Sequence, residues 1–448
     1  MTKDLTEGTP GKVLWQFSIP MFISVIFQQL YNIADSVIAG KFAGEDALAA
    51  VGASYPITMI FMAIAVGSNI GCSVIISNLF GAKKYKEMKT AVSTTLITAF
   101  LLSAVLTVLG LAGTKALMAM IRTPENIFDA GALYLGIYIG GFVFLFLYNV
   151  ATGIFSALGD SKTPLYFLMA SSAGNIALDY LFVAKFGWGV AGVAWATFIA
   201  QSAAGLFALF TMTRRLRALE TGGKAELFSW EMLRRISLIA VPSIFQQSFI
   251  SIGNIFIQGL VNSFGSPVIA GYSAAIKLNT FAITSFTTLG NGISNFTAQN
   301  MGAGKKERVR GGFWAGIRMA MLVVIPFFAA FFLAGESMIR LFMKEGSTVA
   351  LETGIVFLRI ISPFYFVIAA KLMADGVLRG SGFMKQFMTA TFVDLALRVI
   401  LAFLLAGRLG SVGIWVSWPV GWIVATVLSM MFYIKDFSLK SKRSGEGK

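Results

Sequence analysis

Residues 91–113 read AVSTTLITAFLLSAVLTVLGLAG, a stretch that contains no charged side chain. A helix needs roughly 20 predominantly apolar residues to cross a bilayer, and about twelve runs of that length follow one another along the chain. In a second run, Gly67 and Gly71 have the spacing that lets membrane helices pack closely. The chain has 448 residues, of which 56% are hydrophobic and 13% are charged. The sequence therefore predicts an all-α polytopic membrane protein with almost nothing left for a soluble domain.

An internal repeat divides the chain. Asn-Leu-Phe-Gly-Ala at residues 78–82 matches Gln-Asn-Met-Gly-Ala at residues 299–303, and a basic cluster follows each. Other matches at offsets of 221 to 223 residues are Pro20 with Pro242, Asn32 with Asn254, Gly159 with Gly382, and Gly189 with Gly410. An even number of spans returns the chain to its starting side, so the halves enter from the same face. We therefore predict two six-helix bundles related by a parallel repeat, 1–218 (helices 1–6) and 219–448 (helices 7–12).

The charges indicate the topology. The chain carries 36 Lys and Arg against 21 Asp and Glu, and the excess lies in short loops between the apolar runs. Such clusters mark the cytoplasmic side and attract anionic lipid, so we expect both termini in the cytoplasm, with membrane lipids and not nucleic acid as partners. The first apolar run is too long for a signal peptide, and we expect it to be retained as the first helix. We expect a monomer.

The composition also limits the chemistry. The only cysteine is Cys72, and there is no histidine. An internal disulfide and a cysteine-based metal site are therefore excluded, and a proton carrier must be a carboxylate, a lysine or a tyrosine. No nucleophile–base pair or metal motif is visible, so we expect neither an enzyme nor a bound cofactor.

Polar residues inside the apolar runs of the first half indicate an ion site. A carboxylate in hydrocarbon costs about 2.5 kcal/mol or more, so each needs a reason. Asp35 ends the stretch Tyr31-Asn-Ile-Ala-Asp35, and Asn175 and Asp179 share one helix face. With Thr197 they can occupy the outer half of one bundle, while Asn149 lies nearer mid-membrane. The set could share a proton, or Asp35, Asn175, Asp179 and Thr197 could hold Na⁺; polar contacts between helices are the bland alternative.

The second half has different residues at matching depth. Ile257 corresponds to Asp35, and Arg398 corresponds roughly to Asn175. Asp394 lies four residues before Arg398, and Asp375 lies between Lys371 and Arg379, so we expect structural ion pairs on these helices.

A substrate cleft is expected between the halves, near mid-membrane. Lys277 and Arg359 lie in or near apolar runs without an acid four residues away, and we take them, with Gln246, as candidate cleft residues. If the two basic side chains face the cleft, they favour an anionic or zwitterionic substrate group. If they snorkel or pair across helices, they say nothing about the substrate.

The chain resembles the multidrug and toxic compound extrusion (MATE) family, in its prokaryotic branch, over essentially its full length. The carriers of the resemblance are Pro20 to Asp35 with Gly40 and Gly44, Ala47 to Ala50, 78–82, Gly153 to Asp160, Asn175 with Asp179, Gly189 to Thr197, and Leu378-Arg-Gly380. The resemblance implies export driven by H⁺ or Na⁺, with Asp35 as the main coupling residue and Asn175, Asp179 and Thr197 around it. Other members use carboxylates in the seventh and tenth helices. Around Gln246 there is no acid, and Asp375 fits the tenth-helix position poorly, which argues against that second site.

We therefore expect an antiporter in the inner (cell) membrane of a bacterium or archaeon. It would export small organic molecules, such as drugs and toxic compounds, by alternating access, with H⁺ or Na⁺ as the coupling ion. The alternative is a flippase or exporter of an anionic or lipid-linked metabolite in the same superfamily, which the basic residues of the second half keep open. A membrane enzyme lacks a catalytic constellation, and a passive channel fits a twofold repeat with acids in one half less well.

Overall fold

The computed structural model describes residues 3–43, 45–219, 223–342 and 348–445. Gly44, one of the glycines behind the resemblance, lies outside these ranges. Helices occupy most of the described chain, and no strand occurs in it. This is the expected answer to a lipid solvent, because a helix satisfies its own backbone hydrogen bonds.

The first half of the chain contains seven of these helices. They are α1 (Pro10–Ile38), α2 (Glu45–Gly81), α3 (Tyr85–Met120), α4 (Glu125–Gly140), α5 (Phe142–Ala157), α6 (Lys162–Asp179) and α7 (Gly189–Ala218). Two π-helical turns extend this set, Ala39–Ala43 after α1 and Tyr180–Lys185 after α6.

The second half contains eight helices. They are α8 (Trp230–Asn262), α9 (Ser266–Gly302), α10 (Lys306–Leu333), α11 (Gly335–Arg340), α12 (Thr348–Ile361), α13 (Tyr365–Gly380), α14 (Met384–Leu409) and α15 (Ser411–Gly445). The short 3₁₀ turn Ser362–Phe364 joins α12 to α13.

The spans number twelve, as predicted. Within the described residues, ten helical segments are long and apolar enough to cross a membrane, with α12 and α13 forming one of them. Helices α4 and α5, bent by 48° at Gly141, form an eleventh. The remaining long helix is α9, whose 37 residues suffice for a crossing but include many polar side chains.

Helix α9 can be polar because its polar groups are paired inside the protein. Tyr365 Oη donates to Asn279 Oδ1 over 3.0 Å. Arg379, on α13, donates from Nη2 to Asn291 Oδ1 over 2.7 Å and from Nε to Ser294 Oγ over 3.3 Å. A buried polar group with a hydrogen-bond partner avoids most of its desolvation cost. Composition alone therefore understates how well α9 fits a membrane protein.

The chain forms two compact units. The first unit comprises Met1–Asp4 and Ile19–Ser248, and the second comprises Leu5–Ser18 and Phe249–Lys448. The start of α1 thus belongs to the second unit and the start of α8 to the first. The predicted division after residue 218 follows the sequence repeat and stays a prediction about the repeat.

Hydrogen bonds to the segments ahead of α1 and α8 explain this division. In the second unit, Leu5 N–H donates to Gln299 Oε1 over 2.9 Å, and Arg308 Nη1 donates to Gly8 O over 2.6 Å. In the first unit, Lys89 Nζ donates to Leu219 O over 2.6 Å. Each half thus holds the backbone that leads into the first helix of the other half.

Close packing of α2 against α8 depends on two glycines. A Cβ at Gly67 would stand 2.5 Å from Ile244 N, and a Cβ at Gly71 would overlap the backbone of Ala240. Real Cβ atoms do not approach backbone this closely, so larger residues would force the helices apart. The prediction that Gly67 and Gly71 serve helix packing is confirmed.

A buried acid organises the connection between α5 and α6. Asp160, which is 2% exposed, accepts hydrogen bonds from Lys162 N–H and Thr163 N–H at the start of α6 and from Thr163 Oγ1. Arg215 of α7 donates to the same carboxylate. Burial alone would raise the pKa of Asp160, but the hydrogen bonds from Thr163 and Arg215 outweigh it and hold the pKa below its ordinary value. The charged form of Asp160 therefore stabilises the fold.

Candidate functional site

Two acids from different helices meet in the first unit. Asp179 is the last residue of α6 and is fully buried, and Asp35 lies one turn before the end of α1 and is partly buried. Their side chains are within hydrogen-bonding reach of each other. Each acid is followed by a π-helical turn, a departure from regular helix that is frequent at functional sites. The two acids selected from the sequence are thus brought together.

Asn175 and Thr197 complete the predicted set. With its nitrogen toward Asp179, the Asn175 amide donates to Asp179 Oδ2 over 2.7 Å and accepts from Thr197 N–H over 3.1 Å. In the opposite orientation it would donate to Thr197 Oγ1 over 3.4 Å. The first orientation gives both ends of the amide a partner and is the one adopted here. Helix α7 thereby fixes the amide, and the amide fixes the Asp179 carboxylate.

Two tyrosines join the cluster that the sequence analysis did not select. Tyr31 is within hydrogen-bonding reach of Thr197 and lies near Asp35, Asp179 and Tyr134. Tyr31 could have been found, since it precedes Asp35 by one helical turn in α1. Tyr134 is on α4 near both acids, and no local signal pointed to it because its place depends on how α4 packs.

The electrostatics of the acid pair are unbalanced. Asp35 Oδ1 and Asp179 Oδ1 are both buried, and neither has a hydrogen-bond partner among the described residues. Buried carboxylate oxygens without donors are costly, and two facing carboxylates repel each other. A proton on one acid, donated to the other, or a cation between them would remove both costs. The arrangement can therefore hold H⁺ or a monovalent cation.

A small cavity adjoins the acid pair. Its lining residues are Tyr134, Tyr138, Gly141, Leu145, Ala194, Thr197, Phe198 and Gln201. It has room for about one water molecule. Because Tyr134 and Thr197 belong to both the cavity and the cluster, water there would reach the groups around the acids.

The remaining candidate residues lie in other settings. Asn149 is used in packing, since its carbonyl accepts from Asn69 Nδ2 over 2.7 Å and its own amide donates to Leu145 O over 2.9 Å. Gln246 is partly buried in the first unit, and its Oε1 has no partner among the described residues. In the second unit, exposed Lys277 lies 5.9 Å from the Phe342 ring centroid, and Arg359 is exposed. A role for Gln246, Lys277 and Arg359 in a substrate cleft stays a prediction.

Curated relatives match nearly the whole chain. The probable multidrug resistance protein YoeA of Bacillus subtilis (strain 168) is 27% identical over 456 aligned positions, which cover 99% of this chain and 97% of YoeA. The probable multidrug resistance protein NorM of Thermotoga maritima is 23% identical, over 94% of this chain and 92% of NorM.

Solved structures share the fold. An outward-facing multidrug resistance MATE family transporter of the MOP superfamily superposes with a TM-score of 0.90 at 25% identity, covering 98% of both chains. A MATE protein in complex with MaL6 gives a TM-score of 0.92 at 24% identity, covering 99% of this chain and 100% of that one. The twelve-helix, two-bundle architecture agrees with these structures.

The family model named MatE matches the chain twice, over residues 20–181 and 242–404. The two matches start 222 residues apart (242 − 20) and end 223 apart (404 − 181), which is the offset of the internal repeat. Both halves are therefore copies of one family unit, and the chain belongs to the MatE family of membrane transporters.

Proposed function

We propose that this protein is an antiporter that exports small organic molecules in exchange for an inward-moving cation, and that the cation is H⁺. The observation that carries the proposal is the contact between Asp35 and Asp179, whose buried Oδ1 atoms both lack a donor. A transporter needs a site whose charge changes when the ion binds, and this pair has that property.

The proton has a simple place in this site. When one carboxyl is protonated, its O–H can donate to the Oδ1 of the other, which satisfies both atoms and leaves one negative charge. Asn175 then steadies the Asp179 carboxylate through its 2.7 Å hydrogen bond. Loss of the proton restores repulsion between the acids and biases the protein toward another conformation. Alternating access would be the cycle between these conformations, each open to one side of the membrane.

The orientation of Asn175 supports H⁺ over Na⁺. A Na⁺ site built from Asp35, Asn175, Asp179 and Thr197 needs the amide oxygen of Asn175 as a ligand. That oxygen accepts from Thr197 N–H, and the amide nitrogen faces Asp179. Sodium binding would require the amide to turn and give up both hydrogen bonds, whereas a proton requires no rearrangement.

The substrate class rests on the relatives. YoeA and NorM are named as probable multidrug resistance proteins, and MepA of Staphylococcus aureus as a multidrug export protein. We therefore infer drug-like organic molecules as substrates, and a cell-membrane location with both termini in the cytoplasm, as a monomer. The alternative of a flippase or exporter for an anionic or lipid-linked metabolite stays a prediction.

Transport by purified protein in liposomes tests the proposal. With an imposed H⁺ gradient the wild type should exchange an organic substrate, and Asp35→Asn should lose at least about tenfold in rate, since it removes the charge at nearly constant shape. Asp129→Asn, which changes an exposed acid on α4, is the matched control and should transport normally. Full H⁺-driven transport by Asp35→Asn would refute the coupling site, and transport driven by Na⁺ alone would refute H⁺ as the ion.

A further inference from the structure

The second unit contains a counterpart of the acid site with the opposite charge. At the repeat offsets, Asn175 corresponds to Arg398 and Thr197 to Trp418. The contact is kept along with the correspondence: Asn175 touches Thr197, and the Arg398 guanidinium carbon lies 4.5 Å from the Trp418 ring centroid. The acids themselves are gone, because Asp35 is replaced by the buried Ile257. Where the first unit can bind a cation, the second presents a guanidinium.

Arg398 is a buried cation without a polar partner. It is 6% exposed and makes no hydrogen bond or ion pair with any residue that the structure describes, and its Nε is fully buried. Asp394, one turn earlier on α14 and 7% exposed, likewise has no hydrogen-bond partner within the described ranges, and its Oδ1 is fully buried. The ion pair expected from their spacing is not formed. Unpaired buried charges are costly, so the two groups need partners.

Neighbouring charges do not supply those partners. On α13, Lys371 Nζ is 2.7 Å from Asp375 Oδ2, and Ser429 Oγ donates to Asp375 Oδ1 over 2.6 Å. Arg379 is occupied by Asn291 and Ser294 on α9. The charges of α13 are therefore matched, and those of α14 are open.

The surroundings of the open pair leave its polar atoms accessible. Glycines lie beside both groups: a Cβ at Gly421 would stand 2.7 Å from Asp394 Oδ1, and a Cβ at Gly253 would stand 4.0 Å from Arg398 Nη2. Nearby aromatic rings form the wall, with Trp415 stacked on Tyr272 at 5.1 Å between centroids and Phe357 packed against Trp415 and Trp418. The indole N–H groups of Trp415 and Trp418 also lack acceptors within the described chain.

A donor fork and a carboxylate one turn apart define the complementary ligand. A guanidinium matches a carboxylate in two parallel hydrogen bonds. A free carboxylate and aromatic faces suit an ammonium group. We propose that the second unit contains a binding site for a zwitterionic amino-acid group, with its carboxylate on Arg398 and its ammonium on Asp394. This goes beyond ion-coupled export, because the site lies outside the Asp35–Asp179 cluster and can bind whichever ion drives transport.

Binding of small probes to the purified full-length protein tests the site. Glycine carries both charges, acetate only the negative one and methylammonium only the positive one. Glycine should raise the thermal midpoint saturably and change the tryptophan fluorescence through Trp418, while acetate and methylammonium bind at least about tenfold more weakly. Arg398→Gln and Asp394→Asn should each weaken glycine binding by about tenfold or more, because each leaves one charge of the probe unpaired.

Controls separate this site from folding and from ion coupling. Arg318→Gln, at an exposed arginine of α10, should bind glycine like the wild type, and so should Asp35→Asn. If Arg398→Gln does not fold, Arg398→Lys keeps the charge, loses the fork, and should still weaken binding. Equal binding of acetate and glycine, undiminished glycine binding in either α14 variant, or no binding of any probe would each overturn the proposal; the last result would mean that the polar gap holds water only.

Discussion

Asn175 directs its amide nitrogen at Asp179 Oδ2 over 2.7 Å while its oxygen accepts from the backbone of Thr197. An amide held in this way is a donor to the acid and is not free to act as an oxygen ligand. The relationship links α6 to α7 and sets the polarity of the cluster. It also makes the distinction between H⁺ and Na⁺ accessible to mutation.

Thr197→Val should leave H⁺-driven transport within about threefold of the wild type. The substitution removes the hydroxyl but keeps the backbone N–H that holds Asn175 and the shape of the side chain. A Na⁺ site would instead lose one of its oxygen ligands. Initial transport rates in liposomes over a range of Na⁺ concentrations measure the difference, and a strongly raised Na⁺ requirement in Thr197→Val would contradict the proton assignment.

Gly71→Val should destabilise the first unit by about 1–3 kcal/mol or more, because the added side chain overlaps the backbone of α8 at Ala240. The thermal midpoint in detergent measures the effect. Gly113→Val on α3 is the control, since a Cβ there meets nothing within 4 Å. Equal midpoints for the two variants would show that α2 and α8 are not closely packed.

Asp160→Asn should lower stability by about 1–2 kcal/mol at neutral pH, because the charged hydrogen bond from Arg215 is lost. The folded-state pKa of Asp160 lies below its ordinary value, so its stabilisation is present above the unfolded pKa, about 4, and disappears as the pH falls through the lower folded value. The difference in thermal midpoint between wild type and variant should therefore shrink below about pH 4. A difference that is independent of pH would indicate that the charge is unimportant.

Lys371→Met should destabilise the second unit by about 3–5 kcal/mol, since it leaves Asp375 buried and charged with only Ser429 as a partner. The double variant Lys371→Met/Asp375→Leu should recover most of the loss, because it removes both charges. Thermal midpoints of the single and double variants measure this. If the double variant is no better than the single one, the pair is not a closed structural ion pair.

The sequence by itself determined what depends on short-range geometry and on solvent. Apolar runs of membrane length predicted the spans, and a constant offset predicted the repeat that the family model finds twice. Helical spacing placed Asn175 beside Asp179, and Tyr31 beside Asp35, because residues four apart share a helix face whatever the tertiary fold. The functional roles of Asp35, Asp179 and the predicted cleft residues stay predictions.

Tertiary structure decided which helices meet and therefore which side chains become partners. The same spacing of four residues closes an ion pair at Lys371 and Asp375 but leaves Asp394 and Arg398 apart, with Arg398 over Trp418. Tyr134 reaches the acids only through the packing of α4, and Leu5–Ser18 joins the second unit through hydrogen bonds to distant helices. Inside the membrane no water competes for polar groups, so partner choice is set by which helices pack together, and one sequence read along its length does not contain that information.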